Sequence, residues 1–158
     1  MAKYFHIMTD PYAVYLSLDE AVEGMYAGVN PYIPLSAGPT EDTSIPRVCL
    51  APSVELCLTS IGFSLGPHNR RPIIIGEFEL DDTEIVKPTR EQVPDVDYTK
   101  EVWALSTVVP EKVYVKYISK DSIVWEKITM DDGVPLMYCV SVSLEEEHRS
   151  LLKRMNLS

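Results

Sequence analysis

The sequence predicts an α+β protein with a mixed, mostly antiparallel sheet, two or three short helices and a C-terminal helix. The predicted elements run strand, helix, strand, helix and then mostly strands, an order that favours this class over regularly alternating βα units. Neither a GxGxxG turn nor a P-loop is present, although a doubly wound nucleotide-binding fold would require a Gly-rich turn. At 158 residues the chain fits a single domain, residues 1–158, with enough length to bury a core.

The chain begins with a strand and a helix. Residues 3–8 (Lys-Tyr-Phe-His-Ile-Met) predict the first strand. The capping box Ser17-Leu-Asp-Glu20 predicts a helix over about 17–25. Repeated Gly and Pro residues then predict a long loop over 26–46, and long loops in compact domains are often functional.

A second strand–helix pair is the most informative stretch of the sequence. A strand over 47–50 passes through Ala51-Pro-Ser53 directly into a helix over about 53–61. Ser53 is the predicted N-cap, and Glu55 lies in the first turn. Free N–H groups and a partial positive charge at a helix N-terminus favour an anionic ligand. We therefore expect a ligand site at this junction.

The second half of the chain is mostly strand. Ile73–Leu80 changes from fully apolar to alternating, as expected of a strand that leaves the core, and predicted loops flank this region at 62–72 and 88–99. Asp131-Asp-Gly133 predicts a hairpin turn. The capping box Ser143-Leu-Glu-Glu146 predicts the C-terminal helix. The remaining predicted strands cover 84–87, 101–108, 112–118, 122–129 and 135–142.

Charge, hydropathy and cysteine spacing limit the partners and the compartment. The net charge of −10, from 24 acidic and 14 basic residues, argues against a non-specific nucleic-acid binder. It permits a cationic protein partner or mimicry of a nucleic acid, and the alternative is an acidic surface that is only solvated. No apolar run approaches the roughly 20 residues of a membrane helix, so no membrane partner is expected. Cys49, Cys57 and Cys139 lack metal-ligand spacing, which predicts buried reduced thiols, a cytoplasmic location and no bound metal.

Three residues of the first half are candidate ligand-binding groups, each with a structural alternative. His6 lies mid-strand and is either a satisfied buried side chain or a donor to a ribose hydroxyl or a carboxamide. Arg47 is a surface charge, a partner of Glu41 or Asp42, or a group that binds pyrophosphate through its planar fork. Ser53 is an N-cap that can also face a ligand.

Further candidates lie in the second half. Glu101 opens a predicted strand; it either faces solvent or hydrogen-bonds a ribose 2′-hydroxyl and stabilises a developing oxocarbenium ion. The loop Pro67-His-Asn-Arg-Arg-Pro72 is basic within an acidic chain. Its Arg70 and Arg71 either remain solvated or contact phosphates or an acidic partner. No hydrolase signature such as GxSxG or HExxH is present.

Short stretches of the chain resemble the three motifs of the mono-ADP-ribosyltransferase-like fold. They are Tyr4-Phe-His-Ile7, Arg47-Val-Cys-Leu-Ala-Pro-Ser53, and Glu101-Val-Trp-Ala-Leu105 with Pro110-Glu-Lys-Val113. The chain is also similar to small phage and prophage proteins that share a Pro-Arg-[Ile/Val]-Cys-x-Ala-Pro-type segment. The resemblance implies a phage-encoded protein that binds NAD and modifies a host protein or nucleic acid.

The resemblance also implies residue roles and an alternative. His6 would orient the ribose, Arg47 the phosphates, and Glu101 would be the catalytic residue. The second motif lacks the Ser-Thr-Ser run of the arginine-directed branch, and Thr99 stands two residues before Glu101, where the family carries Gln or Glu. The alternative is a non-enzymatic phage inhibitor that sequesters a nucleotide immune signal or blocks a host defence protein. An interaction domain without a small ligand is the third hypothesis.

Overall fold

The computed structural model describes residues 1–8, 18–34, 41–61, 72–117 and 123–142. Its helices are α1 (Leu18–Ala27), α2 (Val54–Ile61) and α3 (Val96–Thr99). Its strands are β1 (Ala2–Met8), β2 (Val48–Leu50), β3 (Pro72–Leu80), β4 (Val102–Ala104), β5 (Lys112–Tyr117), β6 (Ile123–Thr129) and β7 (Pro135–Val142). The expected α+β class with antiparallel strands and few short helices is confirmed.

The strands of the described residues pair in three antiparallel sheets, with orders β1-β3-β5, β2-β4 and β6-β7. The first two sheets are connected, because Phe5 of β1 and Ala51 at the end of β2 exchange backbone hydrogen bonds of 2.8 and 3.0 Å. On the side of β4 away from β2, Trp103 and Val86 form an isolated antiparallel β-bridge. Of the predicted strand 84–87, the structure therefore shows pairing at Val86. β2 therefore lies between β1 and β4, and this position determines what meets at the site.

β3 is buried on both faces, which explains its nearly continuous apolar sequence. Side chains alternate across a strand, so successive residues of β3 point to opposite faces. Ile74 and Phe78 pack in one cluster with Val22 and Met25 of α1. A second cluster contains the neighbouring β3 residues together with residues of α2 and the β6–β7 hairpin. Its buried members are Ile7, Ala51, Val54, Cys57, Leu58, Ile73, Ile75, Ile123 and Cys139.

At Gly76, β3 packs closely against α1. A Cβ at Gly76 would lie 2.8 Å from Phe78 Cε2 and 3.1 Å from Met25 Sδ. We expect Gly76→Ala to lower the free energy of unfolding by about 1–3 kcal/mol, because the packed core must shift. Gly24 inside α1 has open space at its Cβ position, so Gly24→Ala should raise this free energy by about 1 kcal/mol through helix propensity. Urea denaturation measures both, and effects of the same sign would contradict this packing.

The predicted turn between β6 and β7 is confirmed. The Met130 N–H donates to the Val134 carbonyl, and the Gly133 N–H donates to the Met130 carbonyl, both at 2.9 Å. Gly133 has a φ of 85°, in the left-handed region that glycine adopts without steric cost. The hairpin is held against α2, because the Cys139 N–H donates to Thr59 Oγ1 at 2.9 Å.

Two predictions around residue 100 are wrong. The predicted loop 88–99 contains α3, a single turn that ends at Lys100, whose φ is 57° and whose N–H donates to the Val96 carbonyl at 2.8 Å. The predicted strand 101–108 contains only the three-residue β4. Its partner β2 ends just before the turn through Pro52, which has no N–H to offer, and the ladder stops there.

Several predictions fall outside the described residues. They concern the capping residue Ser17, the basic loop with His68, Arg70 and Arg71, and the C-terminal helix that begins at Ser143. Among the helices that the structure does describe, none has the length and apolar character needed to cross a membrane.

Candidate functional site

β2 brings together three predicted site residues that are far apart in the sequence. Arg47 directly precedes β2, and Glu101 directly precedes β4. His6 reaches β2 from the β1 side, since its Nδ1 lies 2.8 Å from the Cys49 carbonyl oxygen. The Cys49 thiol interacts with both the Glu101 carboxylate and the Arg47 guanidinium. The three candidates therefore meet around Cys49.

The hydrogen bond of His6 fixes its tautomer. A carbonyl oxygen only accepts, so Nδ1 carries the proton that is donated to Cys49. Burial lowers the pKa of His6 below its usual value, although the hydrogen bond to Cys49 opposes this. The imidazole is therefore neutral near pH 7, and Nε2 is an acceptor rather than the donor expected from the sequence. The Tyr32 ring approaches edge-on, with ring centres 6.3 Å apart.

Arg47 is completely buried, so the surface-charge alternative is wrong. Its Nη1 donates to the carbonyl oxygens of Asp42 at 2.5 Å and Ile45 at 3.1 Å. Its guanidinium carbon lies 4.3 Å from the centre of the Trp103 ring, a cation–π contact. Glu41 Oε2 lies 3.6 Å from Nη2 and supplies the ion pair considered from the sequence. The guanidinium is thus enclosed on its face and along part of its edge.

The covering segment (residues 41–46) wraps around this guanidinium because local hydrogen bonds shape it. The Ser44 N–H and hydroxyl both donate to Asp42 Oδ1, at 2.7 and 2.5 Å, and form an Asx turn. The Asp42 N–H donates to the Gln92 carbonyl at 2.9 Å, which fixes the segment to the chain before α3. The turn directs backbone carbonyl groups at Nη1 of Arg47.

Three acidic side chains, Glu41, Asp95 and Glu101, interact with one another at this site. The pKa of Glu41 is raised to about 7, first by burial and then by the charges of Glu101 and Asp95, which together outweigh Arg47. Burial also raises the pKa of Asp95. Burial raises the pKa of Glu101 as well, against the hydrogen bond that the Trp103 indole N–H donates at 3.1 Å.

The cysteine thiols are poor nucleophiles. Burial, followed by the charge of Glu101, raises the pKa of Cys49 far above its usual value. Burial likewise raises the pKa of Cys57, and that of Cys139 to about 11. All three are free thiols; Cys57 and Cys139 are buried as predicted, whereas Cys49 is only partly buried. Because the thiolate is the reactive form, chemistry at this site must come from other groups.

Ser53 caps α2 as predicted. The Leu56 N–H donates to Ser53 Oγ at 3.1 Å, which satisfies one of the free donors of the first turn. A contact between Ser53 and a ligand stays a prediction. The placement of Arg70 and Arg71 also stays a prediction, because both lie outside the described residues.

Trp103 and Asp95 belong to the site although neither was a candidate from the sequence. Residues i and i+2 of a strand share a face, so the spacing from Glu101 to Trp103 was a usable signal for the tryptophan. Asp95 carried no comparable signal, because it reaches the site only through the turn of α3. Asp42, considered as an ion-pair partner of Arg47, binds it through the backbone carbonyl instead.

Comparison of the chain with protein-family models, with characterised proteins and with solved structures finds no match. In the part of the chain that the structure describes, no group of three or more His, Cys, Asp or Glu side chains could hold a metal ion. The function is therefore inferred from the geometry around β2.

Proposed function

We propose that the protein is an ADP-ribosyltransferase-like phage protein that binds NAD along β1, β2 and β4 and transfers ADP-ribose to a host target. The observation that carries the proposal is the meeting of His6, Arg47 and Glu101 around Cys49. The stretches that resemble the family's motifs lie on adjacent strands, although they are distant in sequence. That adjacency is what a single nucleotide site requires.

Each residue has a separate role in this proposal. His6 Nε2 accepts a hydrogen bond from a ribose hydroxyl, and Arg47 binds the phosphates. The N-terminus of α2, capped by Ser53, adds partial positive charge for the anionic part of the ligand. The Glu101 carboxylate stabilises the oxocarbenium ion that develops as the bond between ribose and nicotinamide breaks. Nicotinamide leaves with the bonding electrons, and a target nucleophile bonds to the ribose carbon and loses its proton.

The state of Glu101 favours a second candidate function. The Trp103 indole N–H and the Cys49 thiol already bind its carboxyl group, so these contacts compete with a ribose for the carboxyl oxygens, and burial raises its pKa. A protein with this site and no transfer activity would be a phage inhibitor that sequesters a nucleotide immune signal. Blocking a host defence protein through the acidic surface of a chain whose net charge is −10 belongs to the same binding class. Both functions place the protein in the host cytoplasm.

Incubation with NAD tests the proposal. Binding at about 100 times the dissociation constant should raise the free energy of unfolding by about 2.7 kcal/mol, and turnover should release nicotinamide. Glu101→Gln is expected to abolish nicotinamide release and to preserve NAD binding. Glu91→Gln removes an exposed acid outside the site and should leave both unchanged.

The outcomes separate the two candidates. NAD binding without nicotinamide release, or stabilisation by a cyclic nucleotide signal and not by NAD, identifies the sequestering protein. Unchanged nicotinamide release in Glu101→Gln removes Glu101 from the mechanism. Neither binding nor release of any nucleotide contradicts both.

A further inference from the structure

Within the part of the chain that the structure describes, one edge of the Arg47 guanidinium has no hydrogen-bond partner. Nη1 is used by two backbone carbonyl oxygens, and the flat face lies on Trp103. Nε and Nη2 are buried and have no hydrogen-bond partner among the residues that the structure describes. Buried charged donors are rarely left unsatisfied in proteins, because desolvation without a partner is costly. In a guanidinium group the Nε–H and one Nη2–H are parallel, so these two donors can bind one group of a ligand together.

Glu41 lies across this edge without satisfying it. Its Oε2 is 3.6 Å from Arg47 Nη2, an ion-pair distance that is too long for a hydrogen bond. The Glu41 side chain is 29% exposed whereas that of Arg47 is 0% exposed, so the ion pair reaches solvent on the Glu41 side. Glu101 and Asp95 repel the Glu41 carboxylate. Glu41 is therefore a weak and displaceable partner.

The Nε–Nη2 edge of an arginine presents two parallel N–H donors that match two oxygens of a phosphate group. We propose that this edge of Arg47 is a phosphate subsite and that Glu41 is its internal competitor, which a phosphate group of the ligand displaces. Rotation of the Glu41 side chain toward solvent uncovers the edge and leaves the carbonyl contacts of Nη1 intact. This exchange of Glu41 for a phosphate group rests on the proposed nucleotide site. It identifies Glu41 as the residue that sets the affinity of Arg47 for phosphate.

The exchange makes phosphate binding depend on pH. Glu41 is released most easily when it is protonated, and its pKa is raised to about 7 by burial and by Glu101 and Asp95, with Arg47 opposing. If only protein with neutral Glu41 admits the phosphate, the competent fraction falls from about 90% at pH 6 to about 10% at pH 8. The apparent dissociation constant for inorganic pyrophosphate should therefore rise about tenfold over this range through Glu41.

Calorimetric titration of inorganic pyrophosphate into the full chain tests the exchange. Glu41→Gln keeps the shape of the side chain and cannot ionise, so it should bind about tenfold more tightly than wild type at pH 8 and equally at pH 6. Glu91→Gln removes the same charge at an exposed position and should match wild type. The protonation of pyrophosphate itself affects all three proteins equally and cancels in the comparison. Arg47→Lys keeps the charge without the fork and should lose binding at both pH values.

Equal affinities of Glu41→Gln and Glu91→Gln at pH 8 overturn the exchange, and so does a Glu41→Gln protein that binds no pyrophosphate. Circular dichroism verifies that each variant is folded. If Arg47→Lys unfolds, the comparison of Glu41→Gln with Glu91→Gln still tests the exchange. NAD titrated in parallel separates this inference from the proposed function. NAD binding without a gain in Glu41→Gln contradicts the exchange alone. Tighter pyrophosphate binding without NAD binding supports the exchange and contradicts the NAD assignment.

Discussion

Replacing Arg47 with methionine is expected to lower the free energy of unfolding by about 3–5 kcal/mol near pH 8, because removing one partner of a buried ion pair leaves the other uncompensated. The guanidinium is fully buried beside Glu41, and the Asp95 and Glu101 charges already strain that carboxylate. Two backbone carbonyl groups of the covering segment also lose their donor. Methionine fills part of the volume of the arginine side chain, so the decrease in the free energy of unfolding comes mainly from the missing charge and hydrogen bonds.

The deficit of Arg47→Met should depend on pH. Arg47 lowers the pKa of Glu41, so its removal raises that pKa beyond about 7. A carboxyl group whose pKa is higher in the folded state than in the unfolded state makes its full contribution to stability below the unfolded-state pKa of 4.5. This contribution is lost as the pH rises through the folded-state pKa. The deficit should therefore be smaller at pH 5 than at pH 8, as urea unfolding at the two pH values measures.

An exposed arginine provides the matched control for Arg47→Met. Arg90 forms an ion pair with Asp97 at the surface, where its side chain is 75% exposed. Arg90→Met should cost at most about 1 kcal/mol, because exposed ion pairs contribute little. Comparable losses in the two variants would contradict the buried role of Arg47.

Trp103→Ala is expected to lower the free energy of unfolding by about 3–5 kcal/mol, the usual range for removal of a buried aromatic side chain. Trp103 is 0% exposed and lies in β4 between β2 and Val86. Its ring supports the Arg47 guanidinium, and its indole N–H binds Glu101. The substitution therefore leaves a cavity and removes two contacts of the site at once, and thermal or urea unfolding measures the sum.

Two variants separate these contributions. Trp103→Phe keeps an aromatic ring and removes the N–H, so its loss should be smaller and the pKa of Glu101 should rise, since the indole hydrogen bond lowers it. Trp125→Ala removes the other tryptophan of the chain, which is half-buried in β6 and outside the site. A Trp125→Ala loss as large as that of Trp103→Ala would contradict this interpretation, because neither the full burial of Trp103 nor its contacts in the site would then distinguish the two positions.

Features that depend on neighbouring residues were predictable from the sequence. The cap by Ser53, the turn at Asp131–Gly133 and the strand over 73–80 each follow from local patterns, and the structure contains all three. The candidates His6, Arg47 and Glu101 were also identified from local motifs, and the fold brings them together.

Features that depend on distant residues were not predictable. The tautomer of His6 is set by a carbonyl group 43 residues away, which no local pattern indicates. The length of β4 is limited by its partner β2, so the apolar sequence after Ala104 overstated the strand. The burial of Arg47 requires both the covering segment and Trp103, and a charged residue is expected at the surface unless such partners are known.

The central claim is that His6, Arg47 and Glu101 form one NAD site, and calorimetric titration of NAD into wild type and Arg47→Lys tests it most directly. We expect saturable binding by the wild-type protein and at least about tenfold weaker binding by Arg47→Lys, because lysine cannot reproduce the two parallel donors of the guanidinium. Absence of NAD binding by the wild-type protein, or equal affinity of the two proteins, would contradict the claim.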